Sequence, residues 1–302
     1  MPHDISASAA GTWKLGDLTV NRMGFGAMRI TTRSDGSAMD RAEAVSLLRQ
    51  ARELGVNHFD TASFYFSPGG VLEIGNGPRL SANELIREAF AGDEDVVVTT
   101  KVGPGFAADG SFYFAEPDQL RHQVEVNLRE LGRDHLDVVN LRMGFPVPIE
   151  DRFAVLAELR EAGLIRHLGV SAVNAEQLAA AQAIAPVVCV QNPYGVDFRR
   201  DRNDAFARSC GEQGIAFVPF FAIAGAGKES GAAQKQSSVV EDIARGHGVT
   251  AHQIRLAWTL HQGSHVLAIP GTSKPSNLLA NVAAGAIQLS ETELNLLDGL
   301  AS

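Results

Sequence analysis

The sequence predicts an α/β fold in which parallel strands close into a (β/α)8 TIM barrel, preceded by an N-terminal β-hairpin. Apolar runs suited to strands recur about eight times, the number that a closed barrel needs. Helical patterns lie between them, and regular alternation of strand and helix is typical of parallel strands joined by crossovers. The predicted barrel strands lie at residues 23–28, 56–59, 96–101, 136–141, 167–171, 187–191, 215–220 and 266–270.

An open doubly wound sheet is the alternative architecture. It would place a phosphate-binding Gly-x-Gly-x-x-Gly motif after the first strand, and the run from Met23 to Met28 lacks the third glycine. The sequence therefore favours the barrel.

Residues 1–11 are small and polar, which predicts a loose tail. Short apolar-polar alternation from Trp13 to Val20 around Gly16-Asp17 predicts the β-hairpin. Residues 12–302 are then expected to form one barrel domain.

Helix starts carry capping-box spacing, in which a cap side chain and the residue three positions later satisfy each other's backbone N–H groups. Residues 41–54 place apolar side chains on one face, and Gly55 is expected to end that helix. Pro117 suits a first helical turn. The capping pairs are Asp40/Glu43, Ser81/Glu84, Asn174/Gln177, Thr250/Gln253 and Ser290/Glu293.

Composition narrows the range of partners. The 302 residues carry a net charge of -9, which argues against general affinity for nucleic acid or anionic membrane. No apolar run is long enough to span a bilayer. With only Cys189 and Cys210 and no secretory leader, reduced thiols and a cytoplasmic location are expected.

Three residue types that together make a proton donor follow two predicted strands. Asp60 ends one strand, Tyr65 lies on the loop after it, and Lys101 ends the next strand. An ammonium beside a phenol favours the phenolate, and a carboxylate keeps the ammonium charged and oriented. Asp60, Tyr65 and Lys101 together could therefore donate a proton near neutral pH.

Strand alternation places Asn140 and Arg142 on one face of their strand, and Val139 and Leu141 on the other. The apolar pair should face the helices, which leaves Asn140 and Arg142 inside the barrel near its C-terminal mouth. A buried guanidinium needs an oxygen partner. That partner is either a ligand or a structural carboxylate, and the strand-end position favours the ligand.

Further strand ends offer weaker signals. Gln191 and Ser171 present polar groups, and Phe220 offers a ring for stacking. The segment 269–277 supplies backbone N–H groups and Lys274, which suit a phosphate, although an ordinary βα turn would look alike. His58 is expected to be a packed core residue, and His122 and His252 lie on predicted helices.

Three long loops follow strand ends, where barrel active sites form. Residues 66–80 are rich in Gly and Pro, and residues 103–116 carry four aromatics that either wall a substrate pocket or pack on the rim. The small residues of 222–237 are suited to closing over a ligand. No cluster has metal-ligand spacing, and no Gly-x-Ser-x-Gly elbow supports serine hydrolysis.

Over almost the whole chain, from about Leu15, these motifs resemble the aldo-keto reductases. The likeness covers Gly-Phe-Gly-Ala-Met at 24–28, Phe-Asp-Thr-Ala-x-x-Tyr at 59–65, Lys101, Leu-Gly-Val-Ser at 168–171, Gln-Asn-x-Tyr at 191–194 and Ile-Pro-Gly-Thr-Ser at 269–273. That family is a (β/α)8 barrel that binds NADPH, less often NADH, and reduces aldehydes or ketones.

The resemblance implies roles for particular residues. Tyr65 would be the general acid, tuned by Lys101 and Asp60, with Ser171 and Gln191 on the nicotinamide carboxamide. Phe220 would stack on the nicotinamide, and residues 269–281 would hold the adenosine phosphate. The implied cofactor site comprises Gly26, Met28, Asp60, Ser171, Gln191, Phe220, Ala222, Ile223, Gly271, Thr272, Ser273, Lys274, Asn277 and Asn281.

Three departures from the family pattern matter. Arg142 stands where the family has a catalytic His, and the sequence is similar here to a bacterial subgroup that includes pyridoxal reductases. Arginine can stabilise oxyanion charge but cannot shuttle a proton. Ala172 replaces an Asn that contacts the carboxamide. Asn277 and Gly271 replace an Arg and a Lys near the 2′-phosphate, so NADH stays open as an alternative and Lys274 is the expected substitute.

The expected function is NAD(P)H-dependent reduction of a small-molecule aldehyde or ketone, with Tyr65 donating the proton and Arg142 hydrogen-bonding the same oxygen. Two alternatives stay open. One is an NADP-sensing, partner-binding protein, and the other is a biosynthetic isomerase or dehydratase that retains its cofactor. Pyridoxal-like aldehydes are the expected substrates from the subgroup resemblance, with other aldehydes, ketosteroids and sugar-derived ketones open. The sequence does not predict the oligomeric state.

Overall fold

The computed structural model describes residues 5–33, 35–72, 75, 77–145, 147–197, 201–223 and 237–300. Within these ranges strands and helices alternate along the chain, and the main strands form a central parallel sheet. The strands are β1 Thr12–Leu15, β2 Leu18–Asn21, β3 Phe25–Gly26, β4 His58–Asp60, β5 Phe66–Ser67, β6 Leu80–Ser81, β7 Val97–Val102, β8 Pro104–Phe106, β9 Phe112–Phe114, β10 Leu136–Arg142, β11 Ile165–Ser171, β12 Val187–Gln191 and β13 Ala216–Phe217.

The helices surround the sheet. They are α1 Arg41–Glu53, α2 Ala82–Phe90, α3 Pro117–Leu131, α4 Glu150–Glu161, α5 Ala175–Gln182, α6 Asp201–Glu212, α7 Ser238–His247, α8 Ala251–His261, α9 Pro275–Ala283 and α10 Glu291–Asp298, with 3-10 turns at Ala7–Ala10, Ala27–Ile30 and Ala284–Ala286. None of the helices in these ranges has the length and apolar character that crossing a membrane requires.

Seven parallel strands form one sheet in the order β13-β12-β11-β10-β7-β4-β3. The predicted eighth strand at 266–270 is not a regular strand, but it joins both edges of this sheet. Ala268 bridges Met23, and Val266 bridges Phe217. The backbone N–H of Gly24 donates to Ala268 O at 2.8 Å. The sheet therefore curls round to meet itself, which confirms the predicted barrel.

The interior of the barrel is apolar at its N-terminal end and polar at its C-terminal end. Val97 and Val138 lie in a buried cluster with Leu15 and Val20 of the β1–β2 hairpin, so the hairpin closes the floor. Further along the same strands, alternation turns polar side chains inward at the mouth. Val139 and Leu141 pack in the larger cluster between strands and helices, as predicted.

Several helix starts match their predicted caps. Asn174, Thr250 and Ser290 each form a complete capping box. Pro117 stands in the first turn of α3, and Gly55 has the positive φ of +85° expected where α1 has ended.

Two other predicted caps differ from the capping box. Asp40 accepts the N–H of Glu43 at 3.0 Å, but the Glu43 carboxylate pairs with Arg33. Ser81 makes no cap hydrogen bond because it is held in β6, paired with Phe66 of β5.

The N-terminal segment also differs from the loose tail expected for residues 1–11. Residues 1–4 lie outside the described residues, but Ala7–Ala10 forms a 3-10 turn in which Ala7 is fully buried. The N–H of Ala7 donates to Leu54 O at 2.8 Å, which attaches the turn to the end of α1. Alanine side chains are small enough to pack there, and composition alone gave no sign of that docking.

Candidate active site

A buried ion pair occupies the C-terminal mouth of the barrel. Lys101 lies on β7 and is 1% exposed, and Asp60, at the end of β4, is 3% exposed. Lys101 Nζ donates to Asp60 Oδ1 at 2.7 Å and to the backbone oxygen of Thr61 at 3.0 Å. An ammonium has three N–H donors, so these contacts leave one for another neighbour.

Tyr65 lies on the other side of this ammonium. The loop after β4 turns back on itself, with Tyr65 N donating to Ala62 O at 3.0 Å, and the Lys101 Nζ lies 4.8 Å from the Tyr65 ring centroid. Burial by itself would lower the pKa of Lys101. The charge of Asp60, followed by the charge and hydrogen bonding of Tyr65, outweighs burial and raises it. The structure thus brings Asp60, Tyr65 and Lys101 together around a cationic lysine.

His58 and Cys189 lie in the same interior but do not titrate near neutral pH. Burial lowers the pKa of His58 to about 4, and burial also raises the pKa of the Cys189 thiol to about 12. His58 is 1% exposed and its Nε2 lies 3.1 Å from Thr99 Oγ1, which agrees with the predicted core role. Both side chains are neutral beneath the Asp60–Lys101 pair.

Arg142 extends from the end of β10 into the cleft. Its guanidinium carbon lies 4.9 Å from the Phe220 ring centroid, a cation–π contact that restricts where the group lies. Among the described residues, no carboxylate forms an ion pair with Arg142. The structural salt bridge considered as an alternative is therefore absent from the described part of the chain, and the guanidinium donors face the cleft.

Gln191 connects the ion pair to the next region of the mouth. Its Nε2 donates to Asp60 Oδ2 at 2.8 Å. Its Oε1 is buried and has no partner, and the same is true of Ser171 Oγ and Asn140 Nδ2. Buried polar atoms are normally hydrogen-bonded. Of these three residues, Gln191 lines the cleft, so its Oε1 calls for a hydrogen-bond donor on a ligand. The carboxamide of a nicotinamide ring carries such an N–H donor, so Gln191 fits the group.

A cleft of about 690 Å³ runs from this mouth along the strand ends. It is lined by every predicted site residue except Ser171, which lies fully buried behind the wall. The lining residues from the prediction are Gly26, Met28, Asp60, Tyr65, Lys101, Arg142, Gln191, Phe220, Ala222, Ile223, Gly271, Thr272, Ser273, Lys274, Asn277 and Asn281.

The far end of the cleft is formed by the turn before α9. Lys274 N donates to Thr272 Oγ1 at 3.1 Å, and α9 begins at Pro275. A helix N-terminus and a lysine at one end of a long cleft suit an anionic group. The turn lies so close to the first strand that a Cβ on Gly26 would be only 2.6 Å from Ile269 O, so this approach requires a glycine. The backbone at 269–271 thus approaches Gly26, whereas the close neighbour of Gly24 is His58.

Sequence reasoning missed part of the cleft wall. Phe64 and Val71 of the loop after β4 line it, and so does His252, which the sequence placed only on a helix. Burial lowers the pKa of His252. His252 is the second residue of α8. Helices in this fold begin near the C-terminal ends of the strands, so this position could have indicated that His252 lines the cleft. Residues 224–236 of the predicted closing loop lie outside the described residues.

The aromatic loop at 103–116 forms a two-stranded hairpin of β8 and β9. Edge-to-face contacts connect Phe66, Phe106, Phe112, Phe114 and Phe145, with centroid distances of 5.2–5.5 Å. Phe112 and Phe114 line the cleft, so these rings both pack on the rim and form a pocket wall. Among the described residues no group of three His, Cys, Asp or Glu could hold a metal ion.

The parallel barrel, with this charged, aromatic-walled cleft at its C-terminal mouth, has the architecture of the (β/α)8-barrel enzymes. The chain belongs to the aldo/keto reductase family, whose sequence profile matches residues 22–302.

Its relatives include a pyridoxine 4-dehydrogenase of Escherichia coli, which is 40% identical over 97% of this chain and 99% of the relative. An uncharacterized oxidoreductase, C215.11c of Schizosaccharomyces pombe, is 36% identical over 97% of this chain and 91% of the relative.

Solved structures agree with this family. The thermostable aldo-keto reductase Tm1743, in complex with the inhibitor epalrestat, superimposes with a TM-score of 0.77 at 29% identity, covering 96% of this chain and 99% of the other. An aldo-keto reductase from Klebsiella pneumoniae in complex with NADPH has a TM-score of 0.72 at 26% identity, with coverages of 93% and 91%.

Proposed function

We propose that this protein reduces an aldehyde to an alcohol with NADPH, and that residues 12–302 act as a single domain in doing so. The observation that carries the proposal is the buried Lys101, which bonds Asp60 on one side and faces Tyr65 on the other. Such a set in a cleft is suited to hold a phenol that gives up a proton as negative charge develops on a neighbouring oxygen.

The cofactor, when bound, supplies the hydride to the substrate carbonyl carbon. Tyr65 then donates its hydroxyl proton to the carbonyl oxygen, and Lys101 stabilises the resulting phenolate. Asp60 keeps Lys101 charged. Proton donation by a positioned side chain contributes roughly 10²–10⁴-fold to rate.

Arg142 is the second hydrogen-bond donor to the same substrate oxygen. Its planar guanidinium is fixed against Phe220, and it carries charge at every physiological pH. A fixed cationic donor stabilises an oxyanion without changing its own protonation, so Arg142 acts electrostatically and the proton comes from Tyr65.

NADPH is the proposed cofactor, with NADH as the alternative. The unpartnered Gln191 Oε1 suits the carboxamide, Phe220 suits the ring, and Lys274 suits the 2′-phosphate. Support comes also from the Klebsiella pneumoniae structure, which is a complex with NADPH. Lys274 is proposed to compensate for Asn277 and Gly271, which lack charge.

A pyridoxal-like aldehyde is the proposed substrate. The relative from Escherichia coli is a pyridoxine 4-dehydrogenase, and the cleft offers aromatic walls at Phe112 and Phe114 for a planar ring. We also propose a cytoplasmic location without nucleic-acid partners, which the net charge of -9 supports.

A carbonyl panel assayed by loss of reduced-nicotinamide absorbance, with both cofactors, tests this function. Tyr65→Phe should abolish turnover and leave the dissociation constant of NADPH unchanged. Product analysis with and without NADPH separates reduction from isomerisation or dehydration. Near wild-type turnover in Tyr65→Phe, or conversion without consumption of NADPH, would refute the proposal.

A further inference from the structure

A set of buried polar side chains lies outside the barrel wall, behind the active site. It joins the ends of β4 and β7 to the helices α2 and α3, and each member is at most 6% exposed. We refer to it as the amide network. Its members are Thr61, Asn83, Thr100, Gln123 and Asn127.

Thr61 contacts both the catalytic lysine and this network. Its backbone oxygen accepts a hydrogen bond from Lys101 Nζ at 3.0 Å, inside the barrel. Its side chain lies on the other side of the chain, where Thr61 Oγ1 donates to Asn83 Oδ1 at 2.8 Å. The Thr61 backbone N–H also donates to Thr99 O at 2.8 Å, so the carbonyl that holds Lys101 is positioned by Asn83 together with β7.

Asn83 and Asn127 use almost all of their hydrogen-bonding capacity. Asn83 Nδ2 donates to Asn127 Oδ1 and to Glu130 Oε2, both at 3.0 Å. Asn127 Oδ1 also accepts from Thr100 Oγ1 at 2.6 Å, and its Nδ2 donates to Gln123 O at 2.8 Å. Thr100 immediately precedes Lys101, so the network holds both strands that meet at the lysine.

Gln123 fixes the chain just beyond Lys101. Its Oε1 accepts the N–H of Gly103 at 2.7 Å, and its Nε2 donates to Gly103 O at 3.3 Å and to Pro104 O at 3.2 Å. The end of β7 is therefore held on both sides of the lysine, at Thr100 and at Gly103.

This arrangement is costly in an otherwise apolar layer. Val98, Leu120 and Val124 pack in the same space between strands and helices. Buried amides destabilise a protein unless they are paired, whereas a fully paired network specifies one geometry. The geometry that this network specifies is that of the Lys101 ammonium. Two of its three N–H groups donate to Asp60 and to Thr61 O, so the positions of these two acceptors decide where the third N–H points.

We propose that Thr61 and Asn83 are positioning residues, which set the direction of the Lys101 ammonium toward Tyr65 through the Thr61 carbonyl. The inference rests on the proposed function, since Lys101 is taken to tune the Tyr65 proton donor. Neither residue contacts substrate or cofactor, and both act through Lys101.

Thr61→Val removes the hydroxyl and keeps the carbonyl and the side-chain shape. We expect it to lower kcat roughly tenfold or more, because small displacements at a catalytic group are expensive. The dissociation constant of NADPH should stay unchanged. Thr61→Ser keeps the donor and should restore kcat to near the wild-type value. Thr259→Val is the matched control, because Thr259 Oγ1 is equally buried and donates only to Arg255 O, at 2.9 Å.

A second readout does not need turnover, so it separates this inference from the proposed function. The phenolate absorbance of Tyr65 is followed against pH, and its contribution is assigned by its loss in Tyr65→Phe. Thr61→Val should displace that titration and Thr259→Val should not. The other titratable groups near Lys101 are Asp60, His58 and Cys189. None of the three bonds to the Thr61 hydroxyl, which donates to Asn83. Glu130, whose pKa is raised by burial, accepts from Asn83 Nδ2 at 3.0 Å and is the titratable group in contact with the amide network.

A double-mutant cycle tests whether Thr61 and Asn83 act through their shared hydrogen bond. Thr61→Val and Asn83→Leu should be strongly non-additive in ln kcat, because they remove the same hydrogen bond. If Asn83→Leu fails to fold, the kcat of Thr61→Val and the Tyr65 titration in that variant test the proposal. A Thr61→Val enzyme with wild-type kcat and wild-type Tyr65 titration would overturn the proposal, and so would equal effects of Thr61→Val and Thr259→Val.

Discussion

The side-chain amide of Gln191 donates from Nε2 to Asp60 Oδ2 at 2.8 Å, while Lys101 occupies the other oxygen of that carboxylate at 2.7 Å. A carboxylate accepts hydrogen bonds and donates none, so the nitrogen of the amide must face Asp60. The Gln191 oxygen therefore faces away from Asp60, where it is buried without a partner. The ion pair thus determines which end of the glutamine is offered to a ligand.

This orientation predicts selectivity for the cofactor carboxamide nitrogen. The 3-acetylpyridine analogue of NADPH has a methyl group in place of the amide NH2, so it would leave Gln191 Oε1 unpaired. An unpaired buried acceptor costs about 1–3 kcal/mol, so we expect roughly 5- to 150-fold weaker binding than NADPH. Fluorescence titration of both cofactors measures the ratio.

Gln191→Leu is the control for that comparison, because it removes the acceptor. The variant should bind NADPH more weakly and should bring the ratio of the two dissociation constants close to one. Equal affinity of the wild-type protein for NADPH and the analogue would show that Gln191 Oε1 does not receive the carboxamide.

The sequence predicted the barrel and the strand-end residues of the cleft because those features are local, whereas most of the cofactor-site residues came from the resemblance to the aldo-keto reductases. Strand alternation placed Asn140 and Arg142 inward, and strand-end positions assembled Asp60, Lys101 and Gln191 at one mouth. What it could not predict depends on contacts between distant residues. Ser81 has the spacing of a cap, but pairing with Phe66 holds it in a strand. Asn83 and Asn127 look like ordinary helix residues until the helices pack on the barrel.

His58 predicts a stability change with pH. Burial lowers its pKa to about 4 from a usual value of 6.5. Between these values the unfolded chain binds a proton that the folded chain does not, so the free energy of unfolding falls as pH drops from 6.5 to 4. Above pH 6.5 both states are neutral at this position and the effect vanishes. The loss amounts to about 3 kcal/mol from the size of the shift.

Urea unfolding at pH 7 and pH 4.5 measures this loss. His58→Gln keeps a donor near Thr99 and should show a smaller fall than the wild-type protein over the same interval. His122→Gln is the control, since His122 is exposed on α3 and the substitution should leave the fall unchanged. A fall in His58→Gln as large as in the wild-type protein would exclude His58 as its source.

Two glycines predict opposite effects of the same substitution. At Gly26 an added Cβ would lie 2.6 Å from Ile269 O, where the first strand meets the segment that completes the barrel. Overpacking against backbone costs about 1–3 kcal/mol, so Gly26→Ala should destabilise the protein. At Gly246 in α7 an added Cβ meets nothing within 4 Å, so Gly246→Ala should stabilise it by about 0.5–1 kcal/mol. Urea unfolding of both variants measures the two changes in the free energy of unfolding. A Gly26→Ala variant as stable as the wild-type protein would contradict the close approach.

Arg142 predicts a change in how activity depends on pH. The guanidinium stays charged throughout, so in the wild-type enzyme it adds no ionisation of its own. In Arg142→His the imidazole titrates near pH 6.5, so the variant should gain a dependence of kcat on pH in that range. Removing the donor in Arg142→Met should lower kcat by roughly 10²–10³.

Arg142→Lys distinguishes charge from geometry. Lysine keeps the positive charge but lacks the planar fork that lies against Phe220, so it should recover only part of the loss seen in Arg142→Met. Steady-state kinetics from acid to alkaline pH, with the dissociation constant of NADPH measured alongside, supply the comparison. Wild-type kcat in Arg142→Met, or a pH profile of Arg142→His that superimposes on that of the wild-type enzyme, would place Arg142 outside the chemistry and leave Tyr65 as the sole donor to the substrate oxygen.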